Sequence, residues 1–392
     1  REIHSPAAVC LSLSLSPSLS LSVCLCAPVG GPGVMWCGVR SLSRVLALDG
    51  APALQVAWLD GHVSRFHLAW LRDHCPSRVD TATGQRIGRF SDLQVHPTLL
   101  EFAVHPPPSV EGSSQGPTLW LRWEAEQESR FPLQWLRQNC YVDFHSEEAR
   151  KKRQPSRWTN PHSLPSFLYA DVTQNPARLL QFMHTVADVG VCLLKDVPLV
   201  EGQVEEVARL VDQPMNTIYE HPFNVVSEEN PINLAYTSQR LDLHQDLAYY
   251  ESPPGMQLLH VLQFDESVHG GESTFLDGFA LAEYMREVYP QSFQDLCRIP
   301  LTLHKDHMHR SNPVRMEYMR TVFEVNGDGD VIRFSWAPVF EGVLRAPERH
   351  VMAYYRARAD LCQALQQCVE GMLLLHGFWL LGLGGDVSCS CR

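Results

Sequence analysis

Residues 241–250 read LDLHQDLAYY, and the triplet His244-Gln245-Asp246 inside them decides how the chain is interpreted. Along a β-strand successive side chains alternate between faces. His244 and Asp246 therefore share one face, and Leu243, Gln245 and Leu247 the other. An imidazole nitrogen and a carboxylate oxygen side by side are two ligands of a facial iron(II) site, which leaves open positions for a co-substrate and oxygen. The same triplet on a surface strand is an ordinary ion pair, and spacing alone does not separate the two. The metal interpretation needs a third ligand, normally a histidine far downstream. Asn233 and Tyr236 in NLAYTS and Tyr219 and Phe223 in NTIYEHPF lie upstream, and Tyr249 and Tyr250 follow directly. Aromatic faces gathered near a metal form a cage for a quaternary ammonium group. The competing expectation is that these rings are core.

The 392 residues allow two domains with sizeable cores. Apolar residues make up 45% and charged residues 19%, so most of the chain is expected to be globular. A formal charge of −12 argues against generic binding of nucleic acid. No apolar run reaches the ~20 residues of a membrane span. Of the 12 cysteines, Cys10, Cys24, Cys26, Cys389 and Cys391 lie near the termini and the rest are scattered. No CxxC or regular spacing suggests a disulfide framework or a cysteine-rich zinc module, so reduced, intracellular thiols are expected.

Residues 1–40 read as a disordered or artefactual low-complexity leader, with LSLSLSPSLSLSVCLCAP at its centre and Met35 as a candidate true start. Residues 41–145 read as a small β-rich domain built on a repeat. VAWLDGHVSRFHLAWLRDHC (56–75) and LRWEAEQESRFPLQWLRQNC (121–140) align Ser64 with Ser129, Phe66 with Phe131, Trp70 with Trp135 and Cys75 with Cys140. Each unit predicts a strand, a polar turn and a second strand with alternating apolar positions. The tryptophans are expected in the core. The alternative is a zinc site at Cys75 with His74 and His96. Residues 146–165 read as a linker, basic and then proline-rich.

From residue 166 to 370 helices precede and flank many short strands. LLQFMHTVADVG (179–190) predicts a helix stopped by Gly190, and VCLLKDVP a buried strand. INLAYTS, LDLHQDLAYY, PPGMQLLHVLQFD and GGESTFLDG predict strands and turns, followed by one helix over FALAEYMREVYPQSFQDLCRIP. LTLHKDHM, TVFEVNGDGD and VIRFSWA predict further strands, with NGDGD as a hairpin turn. The pattern is that of an α+β domain with a β-sandwich or jelly roll. Residues 371–392 form an atypical tail without a clear strand pattern.

The stretch NLAYTSQRLDLHQDLAYYESPPGMQLLHVLQFDESVHGGESTFLDGF resembles the gamma-butyrobetaine and trimethyllysine hydroxylases, which are TauD-like iron(II)/2-oxoglutarate dioxygenases. FHLAWLRDHC resembles their N-terminal domain, and the likeness runs over about residues 45–365 at motif level. The resemblance implies a double-stranded β-helix (jelly roll) behind a small β-rich domain. It implies iron(II), 2-oxoglutarate and ascorbate as reductant, with hydroxylation of a trimethylammonium compound on the way to carnitine. It assigns His244 and Asp246 to the metal, and Tyr219, Phe223, Asn233 and Tyr236 to the substrate. Phe223 stands where a tryptophan is usual, and Trp336 and Ala337 stand where the family has amides that help hold a substrate carboxylate. The family segment with the third iron ligand, and the arginine that clamps 2-oxoglutarate, have no recognisable counterpart; His376 in LLLHGF is a partial echo of the former. The expected partner is a small molecule, with no nucleic acid and no membrane, and with homodimerisation open. The expected location is cytoplasmic, with mitochondrial as the alternative. The rival expectation is an inactive relative that keeps the fold as a binding or dimerisation module.

Overall fold

The computed structural model describes residues 52–88, 94–105, 116–124, 127–144, 164–219, 233–237, 239–263, 273–309 and 313–369, with shorter pieces between them and the backbone of a few terminal strands. Two compact units emerge: Cys24–Gln154, and Pro155–Arg392 with Arg1–Val23.

The first unit is built twice over. Leu42–Ala47, Ala53–Trp58 and Val63–His67 form one antiparallel three-stranded sheet, followed by the short helix Leu68–Asp73. Leu99–His105, Thr118–Trp123 and Glu128–Pro132 form the second, followed by Leu133–Gln138. The hairpin at Asp60-Gly61 turns because Gly61 takes φ +84°, where a side chain is disfavoured. In both sheets the core strands alternate, so that Phe66 and Phe131 are buried. Trp58 Nε1–H donates to Ser64 Oγ at 2.9 Å, and Trp123 Nε1–H to Ser129 Oγ at 2.8 Å. The repeated serine thus satisfies the repeated indole inside the core. The equivalent Trp70 and Trp135 rings meet at 5.7 Å.

The end of each repeat corrects the sequence expectation. Residues after His67 and Pro132 do not continue as strand but wind into one short helix each. Leu71 and Leu133 with Leu136 bury at helical spacing, which outweighs the apparent alternation. Cys75 is buried with its thiol 2.9 Å from Ser77 Oγ, His74 Nδ1 lies 3.0 Å from the Trp70 carbonyl, and His96 is exposed. Among the described residues no group of three or more potential metal ligands comes together.

In the second unit, helix Pro176–Val189 starts at Asn175, whose Oδ1 accepts from Ala177 N–H at 3.0 Å, and stops at Gly190 with φ +82°. The buried strand Val191–Lys195 follows. One sheet runs in the order Ala8–Val9, Met256–Leu259, Trp379–Leu383, Val191–Lys195, Ser166–Leu168, antiparallel except for the last pair. Ser273–Asp277 pairs with Leu374–Leu375 on one edge and Val387–Cys391 on the other. Strands from segment 371–392 thus join both sheets.

Two hairpins complete the strands: Leu301–Asp306 with Arg315–Arg320, and Phe323–Val325 with Val331–Phe334. The second closes over Asn326, whose Oδ1 accepts from Asp328 N–H and Asp330 N–H at 3.0 and 2.9 Å, with Gly329 at φ +82°. The strand Arg315–Arg320 was not anticipated from sequence. The helix expected over residues 279–300 is two helices, Gly278–Val288 and Pro290–Arg298. Pro290 disfavours a helical Tyr289, which sits at φ −127°, ψ 58°. Both pack with the long helix Glu348–Val369 onto a core that includes Met285, Leu296, Phe323, Phe334, Tyr354 and Leu361. Among the described residues no helix is long and apolar enough to cross a membrane.

Candidate functional site

The segment 241–250 is not a strand. A single bridge at His244 leads into a turn over residues 246–249. The alternation nonetheless holds: Leu243, Gln245 and Leu247 are buried, while His244 and Asp246 face the other way. Gln245 supplies what a neighbouring strand would. Its backbone N–H donates to Trp336 O at 2.8 Å, its Nε2–H to Phe334 O at 3.0 Å, and its Oε1 accepts from Trp336 N–H at 2.8 Å. Leu247 then reverses the chain at φ +57°, a conformation that costs a side-chain-bearing residue about 1–2 kcal/mol. Its side chain is 2% exposed within the main core, which offsets that strain.

This frame fixes the pair. His244 Nδ1 lies 2.7 Å from the Asp242 carbonyl, which sets that nitrogen as the N–H donor and leaves Nε2 with its lone pair. Nε2 is 3.6 Å from Asp246 Oδ1. Donors each about 2.1 Å from one ion, in neighbouring coordination positions, stand about 3.0–3.4 Å apart, so a closure of a few tenths of an ångström brings the two atoms onto a shared metal. Gln257 Nε2–H donates to the other carboxylate oxygen, Oδ2, at 2.9 Å. His376 lies outside the described residues.

The four residues assigned to substrate come together. Tyr219 and Phe223 stack at 4.9 Å, and Phe223 meets Tyr236 edge-on at 6.5 Å. Asn233 Nδ2–H donates to Tyr219 Oη at 3.2 Å. Asn233 also caps Leu234–Tyr236, one turn of 3-10 helix within a stretch expected to hold short strands and turns. The Asn233 side chain competes for local backbone donors, which favours a cap over a ladder.

Two residues of this region, His307 and Gln257, were not singled out from sequence. The buried His307 meets Tyr219 edge-on at 6.1 Å; its only trace in sequence is the histidine-rich stretch HKDHMH. Gln257 reaches Asp246 from the strand Met256–Leu259. Tyr249 is 1% exposed, and burial first, then the neighbouring Tyr219 and Asp246, push its phenol well above the usual tyrosine range. It neighbours both Tyr219 and Asp246 and stays neutral there. Trp336 and Ala337 are buried in the main core.

Residues 159–333 match the family described as taurine catabolism dioxygenase TauD, TfdA family, and residues 49–104 match the gamma-butyrobetaine hydroxylase-like N-terminal family. A gamma-butyrobetaine dioxygenase of Pseudomonas sp. (strain AK-1) is 31% identical over 319 residues, 79% of this chain and 79% of its own length. The human gamma-butyrobetaine dioxygenase is 28% identical over 267 residues, 65% of this chain and 64% of its own. The rat mitochondrial trimethyllysine dioxygenase is 27% identical over 242 residues, 61% of this chain and 55% of its own. The class is therefore that of the TauD-type dioxygenases, whose jelly-roll catalytic domain follows a small β-rich unit along the chain. Within it, the chain belongs to the family of the gamma-butyrobetaine and trimethyllysine dioxygenases.

Proposed function

We propose that this chain hydroxylates gamma-butyrobetaine or a closely related trimethylammonium compound, using iron(II) and 2-oxoglutarate, in carnitine biosynthesis. The observation that carries the proposal is the 3.6 Å approach of His244 Nε2 to Asp246 Oδ1 in the same unit as the Tyr219–Phe223–Tyr236 group, with Tyr249 a neighbour of both Tyr219 and Asp246. His244 and Asp246 would hold the metal. With iron(II) and 2-oxoglutarate held there, dioxygen would be the oxidant: one of its atoms would enter succinate as carbon dioxide leaves, and the other would enter the unactivated C–H of the substrate.

The remaining chemistry is recognition. A trimethylammonium group has no N–H to donate and carries its charge on methyl surfaces. Aromatic faces suit it, each worth about 0.5–2 kcal/mol depending on desolvation. Asn233 holds the Tyr219 hydroxyl, and so the ring, in place. The neutral Tyr249 phenol adds no charge beside the metal carboxylate. With Trp336 and Ala337 turned into the core, the anionic end of a substrate must find its donors elsewhere.

The purified chain, incubated with iron(II), ascorbate and 2-oxoglutarate, is expected to form succinate faster when gamma-butyrobetaine is added. Equal rates with and without it, and likewise with trimethyllysine, would overturn the proposal. Metal binding without any turnover would instead support an inactive relative that keeps the fold as a binding module.

A further inference from the structure

The two oxygens of Asp246 have different neighbours. Oδ1 faces His244 Nε2 at 3.6 Å, whereas Oδ2 accepts a 2.9 Å hydrogen bond from Gln257 Nε2–H. We propose that Gln257 is a positioning residue for the metal carboxylate: by engaging Oδ2 it presents Oδ1 to the ion. The inference rests on the metal-binding proposal above.

An aspartate carboxyl turns freely about its last torsion, which is broad and two-fold. A hydrogen bond to one oxygen fixes the plane and decides which oxygen remains for the metal. The donor here is an amide and carries no charge. A lysine or arginine in its place would compete with the cation for the carboxylate, and a glutamate would repel it. Facing a carboxylate, the amide must present its NH2 edge.

The platform is rigid. Gln257 lies in the strand Met256–Leu259, whose Met256 and Leu258 side chains are buried, and its backbone is in register with Gly382 of the neighbouring strand. His244 is treated in the same way, since its Nδ1 engages the Asp242 carbonyl. Both ligands therefore have their non-coordinating atom occupied before any metal arrives, so less side-chain freedom is lost on binding. Partners of this kind are worth about 10–100-fold in metal affinity.

Manganese(II), which does not turn over, is the probe, added to the full chain without 2-oxoglutarate and followed by the electron paramagnetic resonance of the free ion. Gln257→Leu and Gln257→Met remove the donor at nearly constant volume. Both are expected to raise the manganese Kd by about 10–100-fold, while the metal-free thermal midpoint matches wild type. A role in folding alone would move the midpoint and not the Kd of the folded protein. A folded variant whose Kd stays within about twofold of wild type, far short of the expected change, overturns the role of Gln257. A folded wild-type chain that takes up no manganese overturns the metal proposal itself, and that result needs no variant.

Discussion

Leu247 shows how far single residues of the metal segment could be anticipated. The spacing of His244 and Asp246 correctly placed both side chains on one face. The turn that follows was hidden because the residue at φ +57° is a leucine rather than a glycine or asparagine. Strain and burial oppose each other there, and magnitudes decide. Leu247→Gly relieves about 1–2 kcal/mol of strain, loses about 2–5 kcal/mol of buried side chain and adds about 0.5–1 kcal/mol of backbone freedom. The variant should be less stable by about 3 kcal/mol in urea unfolding; a more stable variant would mean that strain dominates. His260, 2% exposed, gives a pH dependence. Burial lowers its pKa to about 4. Below pH 6.5 the unfolded chain therefore takes up a proton that the folded chain refuses, and stability falls as pH drops toward 4. The slope from this one group is at most about 1.4 kcal/mol per pH unit. His260→Gln should lack that component when wild type and variant are unfolded in parallel at several pH values. Phe223 tests the aromatic group: tryptophan offers a stronger face, and a gain of about 0.5–1 kcal/mol corresponds to a KM about 2–5-fold lower for the trimethylammonium substrate. An unchanged or raised KM in Phe223→Trp would remove Phe223 from the pocket.

At the scale of elements, whatever repeats or alternates was legible. The SRFxLxWLRxxC repeat announced two hairpins, the apolar run VCLLK announced a buried strand, and NGDGD announced a tight turn. What failed were places where one residue overrides a pattern. Pro290 splits an apparently continuous helix, and the WLR segments wind up because their leucines bury at helical spacing. The partner strands Leu42–Ala47 and Leu99–His105 lie outside the repeated motif and left no comparable signal. The indole–serine bonds make the repeat testable. Ser64→Ala and Ser129→Ala each leave a buried tryptophan N–H without its acceptor, at about 1–3 kcal/mol. Because the two environments match, the two losses in chemical unfolding should be alike. A large loss at one site and none at the other would show that the halves are energetically unequal despite their shared geometry.

At the scale of the whole molecule, each unit has its own core, and the candidate metal ligands and aromatic group belong to one unit alone. The composition of the site could not be fully read from sequence, because Gln257 comes from the next strand along the chain and His307 from about 60 residues downstream, and no spacing rule links either to the triplet. The division has a thermodynamic consequence. A ligand that binds only folded protein stabilises it by mass action, about 2.7 kcal/mol at a concentration 100 times its Kd. Bound manganese(II) should therefore slow hydrogen exchange in the unit that holds His244 and Asp246, most visibly over residues 241–263 and 323–337, which Gln245 and Gln257 tie to the metal segment. The hairpins Ala53–His67 and Thr118–Pro132 should exchange as they do without metal. Exchange followed by mass spectrometry separates these segments in a single sample. Protection spread equally over both units would mean that they open together, and protection confined to the first unit would place the metal site somewhere other than at His244 and Asp246.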